Sequence, residues 1–273
     1  MISWWMLNPG PKTKMLIVIK RKLITLLKLI TSMQFIKIFK LSWQYIRGIL
    51  RKVGLIDLIV FPYYFLVYKN LIKKKFPINP QATETQFTLE GDNNFFREKI
   101  LKSKLYLEYG SGTSTLFADK NNINYYSIES DKNFFNILKP YLKNKNYILK
   151  DFGLVGSNST PLFISYRKYF LKVKAQKYAG DILQDFDKRH LIPDLILIDG
   201  RFRILCALFV YKFLKNKNSS TTIIIDDYKM RPYLHILEEL FHIEKIGSFG
   251  VCTKLKEFKD LDKLIKIYSV DAR

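Results

Sequence analysis

A mostly parallel α/β sheet, closed by an antiparallel hairpin and preceded by a basic helical region, is the architecture this 273-residue sequence predicts. Three observations carry the prediction. Short apolar runs recur between residues 104 and 225, each ending in or beside an acidic residue. The first run leads into a glycine turn and then a helix, the βα unit of open parallel sheets. After residue 240, two alternating runs flank a glycine-containing turn, which is the pattern of a hairpin.

The chain is 48% apolar, which suffices for a packed core and excludes a disordered polypeptide. Lys and Arg total 46 against 24 Asp and Glu, a net charge of +22. Only 10 of the basic residues are Arg, and Asn and Ile are abundant too, a pattern that reflects codon composition as much as function. The two cysteines, Cys206 and Cys252, exclude a Cys-x-x-Cys site and a disulfide framework. They fit a reducing compartment.

The charge is concentrated at the start. Residues 1–75 hold 15 basic side chains and one acidic, Asp57, whereas residues 76–273 hold 31 and 23. Two prolines, Pro77 and Pro80, break any helix after Lys73-Lys74-Lys75, so the chain divides into a region 1–78 and a domain 79–273. The apolar runs near the N-terminus are short and interrupted by Lys20-Arg21-Lys22, unlike a cleaved secretory signal.

Residues 35–53 read as a two-faced helix. Lys37, Lys40, Gln44, Arg47 and Arg51 recur at steps of three and four, and Phe35, Phe39, Trp43 and Ile46 fall on the other side. A basic stripe beside a wide aromatic and aliphatic face suits an anionic membrane surface, although the same face also suits packing on a neighbouring domain. The apolar stretch 55–68 contains Asp57 and Pro62 and falls short of the roughly 20 residues a span requires. A re-entrant or surface-lying hairpin fits it better. The expected location is therefore the inner face of the cytoplasmic membrane, peripheral or monotopic.

In the second region, residues 104–109 form the first strand, followed by Gly110-Ser111-Gly112-Thr113-Ser114-Thr115 and a helix from about Leu116 to Lys120. Ile123 to Ile128 is a second strand ending at Glu129, placed to accept from two ribose hydroxyls. Tyr147 to Lys150 ends at Asp151, Leu195 to Ile198 at Asp199, and Thr222 to Ile225 at Asp226-Asp227. Five such strands line up acidic groups along one edge of a parallel sheet, where open α/β sheets bind ligands. Arg231 to Phe241 reads as a helix, and Ile243–Ile246 with Val251–Leu255 as a hairpin around Gly247-Ser248-Phe249-Gly250.

The run Leu107-Glu108-Tyr109-Gly110-Ser111-Gly112, with Glu129 ending the next strand, resembles class I S-adenosylmethionine-dependent methyltransferases over roughly residues 80–273. Ile198-Asp199-Gly200 and Asp226-Asp227-Tyr228 are similar to segments of their small-molecule and sugar O-methyltransferase members. The resemblance implies a Rossmann-like methyltransferase sheet and S-adenosyl-L-methionine as cofactor. It implies that Glu108, Gly110, Ser111 and Gly112 meet the methionine part, Glu129 the ribose and Asp151 the adenine. The sequence departs from the family at Ser114, where a third glycine is usual, and at Asn218-Ser219-Ser220, where Pro-Gly-Gly is usual.

Asp199, Asp226 and Asp227 fall on adjacent strand ends. Together they are a candidate Mg²⁺ site, as in catechol-type methyltransferases, which usually carry Asn at the position of Asp227. Otherwise Asp199 or Asp227 serves as general base, and one of the strand-five pair instead caps a helix starting near Lys229. Arg201 and Arg203 suit an anionic acceptor, or pair with Asp199 or Asp226. The function expected is O-methylation of a small-molecule, glycan or lipid-linked acceptor. Nucleic-acid methylation is the alternative that the charge suggests. It is disfavoured because Asp199-Gly200-Arg201-Phe202 stands where base-amine enzymes carry Asn/Asp-Pro-Pro-Tyr/Phe. A non-catalytic membrane protein on the same fold is the third reading, and the intact Glu108, Gly110, Gly112 and Glu129 oppose it.

Overall fold

The computed structural model describes residues 93–155, 159–161 and 168–273. The region 1–78, the helix expected at 35–53 and the stretch at 55–68 lie outside the described residues. Among the described residues, no helix is long and apolar enough to cross a membrane.

Seven strands form one sheet in the order β3-β2-β1-β4-β5-β7-β6. They are β1 (Tyr106–Tyr109), β2 (Tyr125–Glu129), β3 (Tyr147–Leu149), β4 (Leu195–Ile198), β5 (Thr222–Ile225), β6 (Phe241–Ile246) and β7 (Phe249–Leu255). The first five are mutually parallel, and β7 joins β5 antiparallel with β6 outermost. The helices are α1 (Asn93–Lys102), α2 (Thr113–Lys120), α3 (Lys132–Leu138), α4 (Lys168–Lys188), α5 (Arg203–Leu214) and α6 (Leu261–Tyr268).

The short apolar runs become strands because both faces of the sheet are covered. Successive side chains point to opposite faces, so Leu107, Tyr109, Ile128, Ile196 and Ile198 join one core with α4, α5 and α6. Tyr106, Tyr125, Leu195, Leu197 and Ile224 join the other, with Phe96 and Ile100 of α1 and Phe117 and Ala118 of α2. Nine of the twelve residues of α5 are buried, which explains its nearly all-apolar sequence. Helix α3 begins where Asp131 accepts the backbone N–H groups of Asn133 and Phe134, an N-cap that fixes its start directly after β2.

Two boundaries differ from the sequence reading. The hairpin strands run to a two-residue turn, because Ile246 pairs with Phe249 and leaves only Gly247 and Ser248 between them. Gly247 has φ +61°, a conformation that glycine adopts without steric cost and that suits the first central position of a hairpin turn. The expected helix at Arg231–Phe241 is instead a 3₁₀ segment at Pro232–Glu239. Neither Asp226 nor Asp227 caps it, since its N-cap is Arg231 and no side chain bonds there.

Candidate functional site

The strand order reverses between β1 and β4, so the helices that follow them, α2 and α5, lie on opposite faces of the sheet and a crevice is expected above the strand ends at the switch point. Two glycines make the floor of that crevice. A Cβ on Gly110 would lie 2.6 Å from the nitrogen of Gly200, and Gly110 also has φ +90°. A Cβ on Gly200 would lie 2.0 Å from the Tyr178 hydroxyl. The β1 and β4 turns thus pack backbone against backbone, as only glycine permits. The Tyr178 hydroxyl beneath them is buried without a hydrogen-bond partner among the described residues.

Beyond Gly110 the loop opens. A Cβ on Gly112 would meet nothing within 4 Å among the described residues, so this residue borders space that they leave open at the mouth of α2. Glu108 stands behind the loop. Its carboxylate is fully buried and accepts from the hydroxyls of Tyr106 and Ser114, each at 2.7 Å, and of Thr115. Burial raises its pKa, and the hydroxyl bonds oppose the rise. The structure thus gives Glu108 the part of a brace that shapes the glycine turn. The residue at the usual third glycine is Ser114, and its hydroxyl is one of the donors to that brace.

Glu129 ends β2 beside the same opening. Its carboxylate accepts from the N–H of Ser130 at 2.6 Å and of Asp131 at 2.7 Å. It also accepts from the Ser111 hydroxyl at 2.5 Å and the Ser111 N–H at 3.2 Å. A carboxylate has about four acceptor positions, so Glu129 is saturated. Burial raises its pKa against these bonds. Asp151 lies beyond β3, half-buried, with one oxygen accepting the Gly153 N–H at 2.7 Å.

Asp199, Asp226 and Asp227 do converge, with one oxygen of each within 4.8 Å of the others. Arginines hold the cluster together. Arg203 is 4% exposed and donates to Asp199 Oδ1 at 2.7 Å, Asp227 Oδ2 at 2.9 Å and the backbone carbonyls of Asp199, Gly200 and Asp226. Arg231 donates to the same Asp227 oxygen through Nε at 2.8 Å. Burial alone would raise Asp227, but the Arg203 and Arg231 guanidiniums outweigh it and hold the carboxyl below its usual range. Asp227 also has φ +59°, in the left-handed region.

Asp226 behaves oppositely. Its Oδ1 is buried with no hydrogen-bond partner among the described residues, and burial together with the Asp199 charge pushes its pKa to about 7. Burial raises Asp199 as well, partly offset by Arg203, and a bond to Asp226 lowers it. Two neighbouring carboxyls cannot both ionise cheaply, so Asp226 gives up its proton only around neutral pH. Asp199 keeps a third of its side chain open to solvent.

The same fold is known among solved proteins. The chain is similar to a methyltransferase-like protein of Silicibacter pomeroyi, with 23% identity and a TM-score of 0.55 over 69% of this chain and 98% of that one. It has a methyltransferase-like fold. No protein-family profile matches the sequence, and no curated protein does.

The methyltransferase-like crevice can be tested against the group such folds imply. Gly112 borders open space, and Glu129 stands at its edge with one replaceable donor. That donor is the Ser111 hydroxyl, which has the Tyr147 hydroxyl 2.9 Å away as an alternative partner. Turning that hydroxyl to Tyr147 frees one acceptor position on Glu129, which suits one ribose hydroxyl of a nucleoside. Mg²⁺ at the acidic cluster would compete with guanidiniums. Arg203 and Arg231 bind Asp199 Oδ1 and Asp227 Oδ2 and match their charges, while Asp226 Oδ1 has no hydrogen-bond partner among the described residues. Arg203 itself is a positioning residue, buried among five acceptors, while Arg201 remains half-buried at the surface. Sequence reasoning passed over Tyr147, Tyr178 and Ser111's bond to Glu129. Tyr147 opens its strand and Tyr178 falls on the inward-facing repeat of α4, so both carry a sequence signal. A hollow of about 220 Å³ beside Lys212, Lys215 and Lys259 lies at the far end of α5, away from the crevice.

Proposed function

We propose that this chain is an S-adenosylmethionine-dependent methyltransferase that methylates a hydroxyl of a small-molecule, glycan or lipid-linked acceptor at the cytoplasmic face of a membrane. The observation that supports this best is the glycine turn of β1, open at Gly112 and flanked by the Glu129 and Asp199 carboxylates on either side of the switch point. Gly110, Ser111, Gly112 and Glu129 would hold the cofactor, with Asp151 toward its base. S-adenosylmethionine, when bound, supplies an electrophilic methyl group.

The chain's own residues supply alignment and a proton acceptor. Arg203 fixes Asp199 Oδ1, so the carboxylate presents a single orientation at the carboxyl end of β4. Asp199 takes the proton of the acceptor hydroxyl. Asp226, beside it, favours the ionised form of Asp199 when it carries its own proton. Asp227 is committed to two guanidiniums and keeps Arg203 and Arg231 in register.

The test is transfer of label from S-adenosylmethionine to a membrane extract by the full chain. Asp199→Asn lowers the rate about 100-fold or more, the size of a general-base contribution, while a chelator leaves it unchanged. Wild-type rates for Asp199→Asn remove Asp199 from the chemistry. Loss of transfer on chelation restores the metal reading of Asp199, Asp226 and Asp227.

A further inference from the structure

One charged group at the crevice has no counterpart. Arg203 donates to two carboxylates, Arg231 to one, and Arg273 is paired with Asp271. The Arg201 guanidinium makes no hydrogen bond or ion pair among the described residues, yet the residue is half-buried. Burial and the nearby Arg203 and Arg231 charges lower its pKa, against a weaker opposing pull from Tyr233 and Asp199. A half-buried charge left unpaired is costly, and the cost is removed when a partner of opposite sign arrives.

The turn that carries Arg201 is held in place on both sides. Gly200 is locked against Gly110 and Tyr178, and Phe202 is buried at φ +56°, with its ring 5.2 Å from Phe152. A bulky residue in the left-handed region persists only where the surroundings impose it. This turn sends Arg203 into the acidic cluster and leaves Arg201 beside the crevice. Next to it, Arg231 donates to the Tyr233 hydroxyl at 3.2 Å, and the Arg273 guanidinium stacks over the Tyr233 ring at 4.7 Å. Of the three guanidiniums Arg201, Arg203 and Arg231, only Arg203 and Arg231 are paired with the carboxylates of Asp199 and Asp227.

We propose that Arg201 is the docking point for an oxyanion, a carboxylate or a phosphate ester, borne by the molecule that enters beside Asp199, with Arg231 and Tyr233 lining the same recess. The inference rests on the methyl-transfer reading, because it names the chemistry of the acceptor for that site. A guanidinium presents a planar fork that matches both groups with two parallel bonds, which a lysine cannot reproduce. An acceptor so held presents a hydroxyl near Asp199 from a fixed anchor.

Calorimetric titration of the full chain with inorganic phosphate, and separately with malonate, tests this directly. The expected result is saturable binding of at least one anion, weakened at least 10-fold by Arg201→Gln and several-fold by Arg201→Lys. The anion that binds more tightly tells phosphate ester from carboxylate. If Arg201→Gln fails to fold, Arg201→Lys carries the comparison alone. Absence of saturable binding of either anion to the wild-type chain, or unchanged affinity in the variants, overturns the proposal. Failure of the methyl-transfer reading shows separately, as wild-type chain that binds anion but no S-adenosylmethionine.

Discussion

Replacing Asp226 by Asn tests the tightly held proton of this carboxyl in the acidic cluster. Asp226 is 3% exposed, and its pKa stands near 7 in the folded chain against an ordinary value of 3.8. A raised pKa means that the folded state holds the proton more tightly. The stabilisation is therefore complete below the ordinary value and is lost as pH rises through about 7. At about 1.4 kcal/mol for each tenfold change in proton affinity, the loss is at most about 4 kcal/mol. An amide cannot ionise and still donates a hydrogen bond toward Asp199. Asp226→Asn is thus expected to match wild type near pH 4 and to exceed it progressively above. By pH 8 the advantage reaches roughly 2–4 kcal/mol, or about 4–16 °C in Tm for a chain of this size. Urea unfolding of both proteins at half-unit intervals from pH 4 to 8.5 measures it. A difference independent of pH, or a variant less stable than wild type at pH 8, refutes the protonated Asp226.

Two further outcomes follow from the same structure. Gly200→Ala places a methyl against the Tyr178 hydroxyl and the backbone of Gly110 and Tyr109, and should cost ~1–3 kcal/mol in chemical denaturation, with a matching loss of cofactor affinity. The basic region before residue 76 should carry the full chain into the pellet with anionic vesicles. About 1 kcal/mol per basic residue near the surface is salt-sensitive, and the buried aromatic side chains of 35–53 add a salt-resistant part. A chain that stays in the supernatant removes the membrane from the proposal.

Much of the sheet was legible because its strands are buried on both faces and end in acids. Leu195–Ile198 and Thr222–Ile225 coincide with β4 and β5, and the glycine turn, Glu129 and the terminal hairpin lie where the sequence puts them. The helices were less legible. α5 is apolar all round, so its Ile204–Leu214 run has little of the periodicity that distinguishes a helix from a strand. α4 does repeat, with Leu171, Ala175, Tyr178, Ala179, Ile182 and Phe186 inward, and this signal was passed over. Within the site, residue types and spacing placed the three aspartates together. They left open which guanidinium pairs with which carboxylate. That choice is made by the left-handed Phe202 and Asp227, which turn Arg203 inward and leave Arg201 out. Non-glycine residues at positive φ leave no mark in a single sequence.

The central claim is that the opening between Gly112 and Glu129 is a nucleoside site. Its most direct measurement is calorimetric titration of the full chain with S-adenosylmethionine. The account predicts one binding event per chain, weakened about 10- to 100-fold by Glu129→Ala, the loss expected when charge-assisted bonds worth ~1.5–3 kcal/mol disappear. Wild-type chain that gives no saturable heat with S-adenosylmethionine, or Glu129→Ala that binds it as tightly as wild type, contradicts the account.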